Sequence, residues 1–275
     1  MAVATEEFPL LSSAARSGDI DTLRELLSAG VDVDHVSKSD APGVEYGFCL
    51  TPLQHVCKSD GRKNLEGRVA CVKLLIERGA CVDAGAPGNP GQSTDTHTNL
   101  TPLMYAVLRC YLDIVKILLS AGSDVNVLCT PRMDGIPSSA LKMSALSYTY
   151  MRGDPRDTDA IVAALLKAGA DANPAAFRQG TVMDFAIAHG RRRIWPLFLR
   201  AGAILTTGEG HRPHGYNTHR THPYLQKIET AGGFKAYEKA HRTRLLATFT
   251  PKFTHLVPEE LVPLIVEFSF HVGFY

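Results

Sequence analysis

The sequence predicts an all-α solenoid of five helix–turn–helix units with long hairpin-like loops, plus a small C-terminal helical module. One observation is an apolar residue that opens the first helix of each unit; another is a glycine that closes the second. In units one, three and five the opener and the glycine are 19 residues apart. The openers and glycines are Leu11, Leu53, Leu103, Leu146 and Met183, and Gly30, Gly79, Gly122, Gly169 and Gly202.

The third unit shows why each element should form. Thr101 can cap the free amides of a helix, and the fixed φ of Pro102 suits a first helical turn. Gly122 ends the second apolar helix, because glycine readily adopts the left-handed conformation there. Units two and four have seven and four extra residues, near Asp60–Gly67 and Gly153–Thr158. Insertions confined to the turn between helices are typical of a repeat architecture.

These signatures resemble the ankyrin repeat over about Pro9 to Leu205. The openings that carry the resemblance are Leu50–Leu53, Leu100–Leu103 and Gly180–Met183, and the closings are Ser28–Asp34, Arg78–Asp83, Ala121–Asn126 and Ala168–Asn173. Two features depart from the family pattern. Cys110 replaces the usual mid-repeat glycine, and the usual histidine after the opener is replaced by Ser12, Gln54, Met104, Ser147 and Asp184.

The pattern divides the chain into a repeat domain (1–205), a polar His-rich linker (206–222) and a helical C-terminal module (223–275). Three long connections between repeats are predicted to form fingers: His35–Cys49, Ala84–Asn99 and Val127–Lys142. In the module, helices are expected at Tyr224–Ala231, at Phe234–Phe249 and from Val257 onward. This module either covers the open end of the fifth repeat or binds a partner.

Composition and motifs exclude several functions. The net charge of +1 favours neither nucleic acid nor an acidic partner, and no apolar run reaches the roughly 18 residues of a membrane span. We therefore expect no nucleic-acid or membrane partner. The six cysteines show no CxxC spacing, and Glu6 and Glu7 occupy the place of a signal's basic region. Reduced thiols in the cytoplasm are expected, with the nucleus as the alternative.

The motifs of the sequence predict neither catalysis nor metal binding. The sequence has no G-x-S-x-G, P-loop, G-x-G-x-x-G or H-E-x-x-H motif, so we expect no enzyme activity and no cofactor. The linker contains two H-x-x-H pairs, His211/His214 and His219/His222, in an irregular stretch with one acid. No metal site is predicted, because a metal needs several converging ligands with second-shell support.

The resemblance implies that the fifth and sixth residues after each opener face a target. The candidate partner-binding residues at these positions are Arg16, Lys58, Leu108, Arg109, Met151, Arg152 and His189. Four of them are definite cations, which would attract an acidic or phosphorylated segment of a protein partner. The alternative is an ordinary solvated face. A neighbouring column is expected to pack between repeats: Ser13, His55, Tyr105, Tyr148 and Phe185.

The function predicted is a non-catalytic protein–protein interaction scaffold. One alternative is a substrate receptor of a ubiquitin ligase, since Leu256–Phe268 weakly resembles the helix starts of F-box and SOCS-box modules. Another is a purely structural C-terminal cap. Membrane association through Leu261–Tyr275, with Lys235, Lys239, Arg242 and Arg244 upstream, is disfavoured because the apolar run is short.

Overall fold

Short α-helices arranged in pairs make up most of the computed structural model, which describes residues 8–38, 49–59, 64–85, 100–129, 142–150, 155–176, 180–205, 222–253 and 255–265. The chain divides into two units, Met1–Phe177 and Arg178–Tyr275. The described elements of the first unit are α1 (Phe8–Ser17), α2 (Ile20–Ser28), β1 (Ser37–Lys38), β2 (Cys49–Leu50), α3 (Pro52–Lys58), α4 (Leu65–Glu77), α5 (Pro102–Leu108), α6 (Leu112–Ser120), a 3₁₀ helix (Ala145–Tyr150), α7 (Pro155–Lys167) and β3 (Ala175–Ala176).

The helices of the first unit stack in two rows. The inner row runs α1, α3, α5 and the 3₁₀ helix, and each element contacts the next; the outer row runs α2, α4, α6 and α7 in the same way. The four opening leucines, which the sequence places at the start of each unit, are fully buried: Leu11, Leu53, Leu103 and Leu146. Stacking is required because a single helix pair cannot bury its apolar face alone. The predicted all-α repeat solenoid is therefore confirmed.

The Thr-Pro pairs cap inner helices as predicted. The Gln54 backbone N–H donates to Thr51 Oγ1 (3.3 Å), and the Thr51 N–H donates to Gln54 Oε1 (2.9 Å), which forms a capping box. In the next repeat the Met104 N–H donates to Thr101 Oγ1 (3.3 Å). The closing glycines of these repeats, Gly79 and Gly122, have φ of 89° and 87°. The left-handed helix end that the sequence predicts is thus present.

The fourth repeat differs from its prediction. Its opening segment is a 3₁₀ helix over Ala145–Tyr150, while the Thr-Pro repeats have an α-helix at this place. This repeat lacks Thr-Pro, so neither a threonine cap nor a preset φ favours an α-helical start. Its second helix, α7, has the length expected of the outer row.

Short antiparallel pairs form the bases of two fingers. β1 pairs with β2 through Ser37↔Leu50 and Lys38↔Cys49, at the base of the first finger. At the base of the third finger, Cys129 and Met143 exchange two backbone hydrogen bonds (2.9 and 2.8 Å). These bases fit the predicted hairpin-like loops. Residues 86–99 of the second finger lie outside the described residues.

The second unit contains the fifth repeat and the C-terminal helices. Its described elements are β4 (Gly180–Thr181), α8 (Val182–Ala188), a 3₁₀ helix (Arg192–Ile194), α9 (Trp195–Arg200), α10 (Pro223–Thr230), α11 (Phe234–Phe253) and a 3₁₀ helix (Glu259–Leu261). Helix α11 continues past the predicted end at Phe249 and includes Pro251. A proline in the last turn removes only a terminal backbone hydrogen bond. The expected division into a repeat domain (1–205), a linker (206–222) and a C-terminal module (223–275) stays a prediction.

Candidate protein-interaction surface

Four of the predicted partner-binding residues lie at the ends of the inner-row helices. Arg16 lies on α1, Lys58 and Leu108 are the last residues of α3 and α5, and Arg109 follows α5 directly. Arg16 is exposed, whereas the other three are half-buried. We call these four residues the inner surface. It spans repeats one to three.

Two cations of the inner surface are held side by side. Arg109 Nε donates to the Lys58 backbone carbonyl (2.9 Å), and Lys58 Nζ lies 6.0 Å from the centroid of the Tyr105 ring. Both charges therefore sit at the junction of repeats two and three. The hydrogen bond fixes the half-buried guanidinium of Arg109 beside the Lys58 backbone.

The remaining predicted residues are not part of this described cluster. Met151 and Arg152 lie outside the described residues. His189 belongs to the second unit, where it follows α8 and stacks on Phe185, with 3.8 Å between ring centroids. Its Nδ1 also lies 3.0 Å from the Phe185 carbonyl. The structure thus places cations at the ends of the stacked inner helices of three repeats, and the extension of this ladder to Arg152 in the fourth repeat stays a prediction.

The aromatic column is mostly buried, as its packing interpretation requires. His55, Tyr105 and Tyr148 are at most 8% exposed, so they lie between inner-row elements. Phe185 is half-buried and Ser13 is exposed. These rings therefore contribute to the stack, and the positions three to four residues further along each helix stay the predicted partner-facing ones.

A buried arginine that the sequence did not predict lies between repeats two and three. Arg68 of α4 is 1% exposed, and its Nη1 donates to the Ser59 carbonyl (3.1 Å) and to Tyr111 Oη (3.1 Å). The Tyr111 hydroxyl donates to the same Ser59 carbonyl (2.8 Å), and the Tyr111 ring lies 4.9 Å from Arg68 Cζ. Helical spacing gave a signal, since Arg68 shares a face with the buried residues Cys71, Val72 and Leu75.

A second missed contact joins repeats one and two. Asn64 caps α4 with its own backbone in the left-handed region (φ 51°), and Gly67 N–H donates to Asn64 Oδ1 (3.3 Å). Asn64 Nδ2 donates to the carbonyls of Ser17 (3.0 Å) and Gly18 (3.1 Å). We call the segments between the two helices of each repeat the mid-repeat turns. At this mid-repeat turn, the side chain of one particular residue, Asn64, joins adjacent repeats.

The turns that follow the second helix of each repeat, the closing turns, are joined by a recurring rung. Asp34 accepts from the Cys81 N–H (3.1 and 2.9 Å), and Asp83 accepts from the Asp124 N–H (3.1 Å to each oxygen). In the third rung Asn126 Oδ1 accepts from the Asp171 N–H (2.8 Å). Burial raises the pKa of Asp34 and of Asp83 despite these bonds. The recurring acids are therefore structural.

Gln54 holds the base of the second finger. Its Nε2 donates to the carbonyls of Ala84 (3.3 Å) and Leu100 (3.0 Å), which flank that finger. Gln54 is one of the residues that replace the usual histidine. The departure from the family pattern thus provides a donor that ties the two ends of the finger to the inner row.

In the second unit, the C-terminal helices pack on the fifth repeat. Arg200 of α9 donates from Nε (2.8 Å) and Nη2 (2.7 Å) to Glu238 Oε1 of α11. The Trp195 ring meets His222 edge-on at 4.8 Å and stacks on Tyr224 at 6.4 Å between centroids. These contacts cover part of α9, which supports the capping interpretation of the module. Of the linker histidines, His211, His214 and His219 lie outside the described residues.

Burial governs the reactivity of the thiols that the structure describes. Cys57, Cys71, Cys81 and Cys129 are free, and burial raises the pKa of Cys71 and of Cys129 to about 11. Such thiols stay protonated at neutral pH and are poor nucleophiles. Across the described ranges, no helix combines the length and apolar character needed to cross a bilayer.

Formal charge is distributed unevenly between the units. Met1–Phe177 contains 16 Lys and Arg against 21 Asp and Glu, a net charge of −5. Arg178–Tyr275 contains 13 against 7, a net charge of +6. The chain's total of +1 therefore hides a basic second unit.

Comparison with known proteins agrees with the stacked repeats. A family model described as ankyrin repeats (3 copies) matches residues 11–129. The chain is also similar to an Escherichia coli (strain K12) protein named "Putative ankyrin repeat protein YahD", with 26% identity over 123 residues. That match covers 45% of this chain and 47% of the relative, so it spans about half of the relative's length.

Ankyrin repeats generally mediate protein–protein interaction and are typically non-catalytic. The two rows of stacked helices, the left-handed glycines that close them and the matched family model all agree. Residues 11–129 of the chain therefore form ankyrin repeats.

Proposed function

We propose that this chain is a non-catalytic interaction scaffold that binds a protein partner through the inner surface, with Met151, Arg152 and His189 as further contacts. The observation that carries this proposal is the pair of cations at one junction, Lys58 and Arg109, joined by the 2.9 Å hydrogen bond from Arg109 Nε. Arg16 adds an exposed charge on the preceding repeat. Such a surface suits a segment of a partner that brings carboxylates or phosphates.

Recognition of an acidic segment would act at short range. The first unit has a net charge of −5, so its overall field does not steer an acidic ligand toward it. Charge-assisted hydrogen bonds from the two half-buried cations would supply the attraction once the segment is in contact. Half-buried Leu108 offers an apolar contact beside them. The free thiols fit a reducing compartment, which we propose is the cytoplasm.

The test uses an array of acidic and phosphorylated peptides, with neutral peptides of equal length, and measures affinity by fluorescence anisotropy. Replacing both Arg16 and Lys58 by Glu is expected to abolish acidic-peptide binding, because two attractive contacts become repulsive. Reversal of Arg109 together with Arg152 should do the same. The matched control reverses Lys73 and Lys116, which are exposed on the outer helices α4 and α6. Unchanged acidic-peptide binding by the Arg16/Lys58 variant, or binding of neutral peptides alone, contradicts the proposal.

For the C-terminal module we propose a capping role. The Arg200–Glu238 ion pair and the rings around Trp195 support it. Recruitment of a ubiquitin ligase rests on the resemblance of Leu256–Phe268 alone, and the family match ends at residue 129. Deletion of Val257–Tyr275 should lower the melting temperature, since it removes the fully buried Val262. An unchanged melting temperature together with loss of a ligase scaffold would support the alternative.

A further inference from the structure

Helix α11 presents a row of cations to solvent. Lys235, Lys239 and Arg242 are exposed and follow one another at intervals of four and three residues, which places them on one face of the helix. We call these three residues the basic stripe. The exposed neighbours beside the stripe are small, namely Ala236, Ala240 and Thr243. The face is therefore flat, and an extended negative surface can approach it closely.

Helix α11 carries a large net positive charge. The helix contains five Lys and Arg and one acid, Glu238, which gives a net charge of +4. Glu238 accepts two hydrogen bonds from Arg200 and is therefore engaged with α9. Neighbouring cations extend the positive field, since Arg192, Arg193 and Lys227 of the same unit are also exposed.

Exposed leucines follow the basic helix. The Leu256 N–H donates to the Phe253 carbonyl (2.8 Å), so this residue continues directly from the end of α11. Among the described residues five large apolar side chains are exposed, and three of these lie within one stretch of nine residues: Leu256 (68%), Leu261 (44%) and Leu264 (59%). Val262 between them is fully buried and holds this segment in place. Exposed apolar clusters mark contact surfaces.

Together these features favour one kind of occupant. A phosphate backbone would pair with the basic stripe and leave the leucines in water. A peptide would need a groove or a strand edge, and the stripe is a flat helix face. An anionic lipid surface takes both features, because its headgroups attract cations and its acyl boundary accepts leucine side chains. We propose that the second unit docks peripherally on anionic membranes through the basic stripe and these three leucines.

This proposal goes beyond the protein-interaction function and concerns a different surface. The small total charge and the short apolar run of the sequence predicted no membrane partner. The net charge of +6 on the second unit changes the first of these arguments. Peripheral docking requires no membrane-spanning segment, so the length of the apolar run does not decide the question.

The experiment is co-sedimentation of the full chain with vesicles of phosphatidylserine and phosphatidylcholine in equal parts, against vesicles of phosphatidylcholine alone. Binding is expected only to the anionic vesicles, and it should be lost when salt rises from about 0.1 M to about 1 M, where charges are screened within about 3 Å. Replacing the three stripe residues by Ala should weaken binding roughly a hundredfold, since each cation near such a surface contributes about fivefold. Leu256→Ser with Leu264→Ser should weaken binding while the salt dependence persists.

The matched control is the Lys73→Ala/Lys116→Ala variant, which removes exposed cations of the first unit and should bind the vesicles as the parent chain does. Circular dichroism confirms that each variant keeps its helices. The proposal is overturned if the parent chain ignores anionic vesicles, or if the stripe variant binds them equally. It is also overturned if single-stranded RNA binds the parent chain more tightly than the vesicles do at the same salt.

Discussion

The closing turns and the mid-repeat turns join the same repeats by different means. At the closing turns one rung recurs, in which an Asp or Asn side chain accepts from a backbone N–H of the next repeat. At the mid-repeat turns, Asn64 and Arg68 each make contacts that no other described repeat copies. Backbone-directed bonds can recur because every repeat offers the same backbone. Contacts between particular side chains are specific to one pair of repeats.

This contrast predicts that the largest single loss of stability comes from a mid-repeat turn. Arg68→Ala removes two donors and opens a cavity beside Tyr111, so we expect a loss of about 3 kcal/mol in the free energy of unfolding. Urea denaturation measures it. Lys73→Ala, at an exposed position of the same helix, should change stability by less than about 0.5 kcal/mol. Equal losses of stability in the two variants would show that the Arg68 contacts do not contribute more to stability than an exposed position of the same helix.

Substitution of two glycines compares the space available at a mid-repeat turn with that at a closing turn. A Cβ at Gly67 would lie 2.4 Å from the Gly18 carbonyl oxygen, so Gly67→Ala should cost about 2 kcal/mol by forcing repeats one and two apart. At Gly79, in a closing turn, a Cβ meets nothing within 4 Å. Gly79→Ala should cost only about 1 kcal/mol, from its φ of 89°. A larger loss at Gly79, measured by thermal unfolding, would reverse the ranking.

A substitution at Cys110, in another mid-repeat turn, is expected to raise the free energy of unfolding. Cys110 has φ of 57°, in the left-handed region. Gly18 and Gly190, which lie in other mid-repeat turns, also have left-handed φ values. Cys110→Gly relieves the cost of a side chain in this region and should raise the free energy of unfolding by about 1 kcal/mol. Cys110→Ala keeps a Cβ and should bring no such gain. Stabilisation by Ala as large as that by Gly would show that the thiol, not the backbone, is unfavourable.

The smallest expected effect concerns the charge of the rungs. Burial raises the pKa of Asp34 and Asp83, so the folded state favours their protonated forms. Their contribution to stability is present below about pH 4, the ordinary range of Asp, and is lost as pH rises through the folded-state pKa. Asp34→Asn with Asp83→Asn should therefore flatten the fall in stability between about pH 4 and 7, with a gain within about 0.5 kcal/mol at neutral pH.

Asn126 is the natural control for that experiment, because the third rung already uses an amide. Its Nδ2 also donates to the Gly169 carbonyl (3.1 Å), a bond that a carboxylate cannot make. Asn126→Asp should thus introduce the pH dependence that the first two variants remove. If chemical denaturation over this pH range shows identical slopes for all variants, the rungs do not carry a charge-dependent term.

Sequence alone identified the parts of the fold that recur. The Thr51 and Thr101 caps and the glycines at helix ends act within one repeat, so their local chemistry is visible in the local sequence. The 3₁₀ opening of the fourth repeat was not predicted, because the apolar opener Leu146 is present there although the Thr-Pro start is absent. Contacts such as Asn64 to Gly18 join residues 46 positions apart, and periodicity says nothing about which irregular side chains will meet.

The candidate surface was predictable only as a set of positions. The resemblance implied that Lys58 and Arg109 face a target, which stays a prediction, and the structure places both near the ends of inner helices. It did not reveal that Arg109 donates to the Lys58 carbonyl, because the hydrogen bond depends on how two repeats are stacked. The basic second unit was hidden for a simpler reason, since a total charge averages over units of opposite sign.

The Arg68 bridge also constrains how an array of this kind can lengthen by gene duplication. A new repeat inserted between the second and third would separate Arg68 from Tyr111 and leave a buried guanidinium without the hydroxyl that now receives its hydrogen bond. At the junction of the third and fourth repeats, the rung at Asn126 accepts from a backbone N–H, and an inserted repeat can supply the same donor. The second and third repeats are therefore expected to be inherited as one block, and duplication to be tolerated on the Asn126 side.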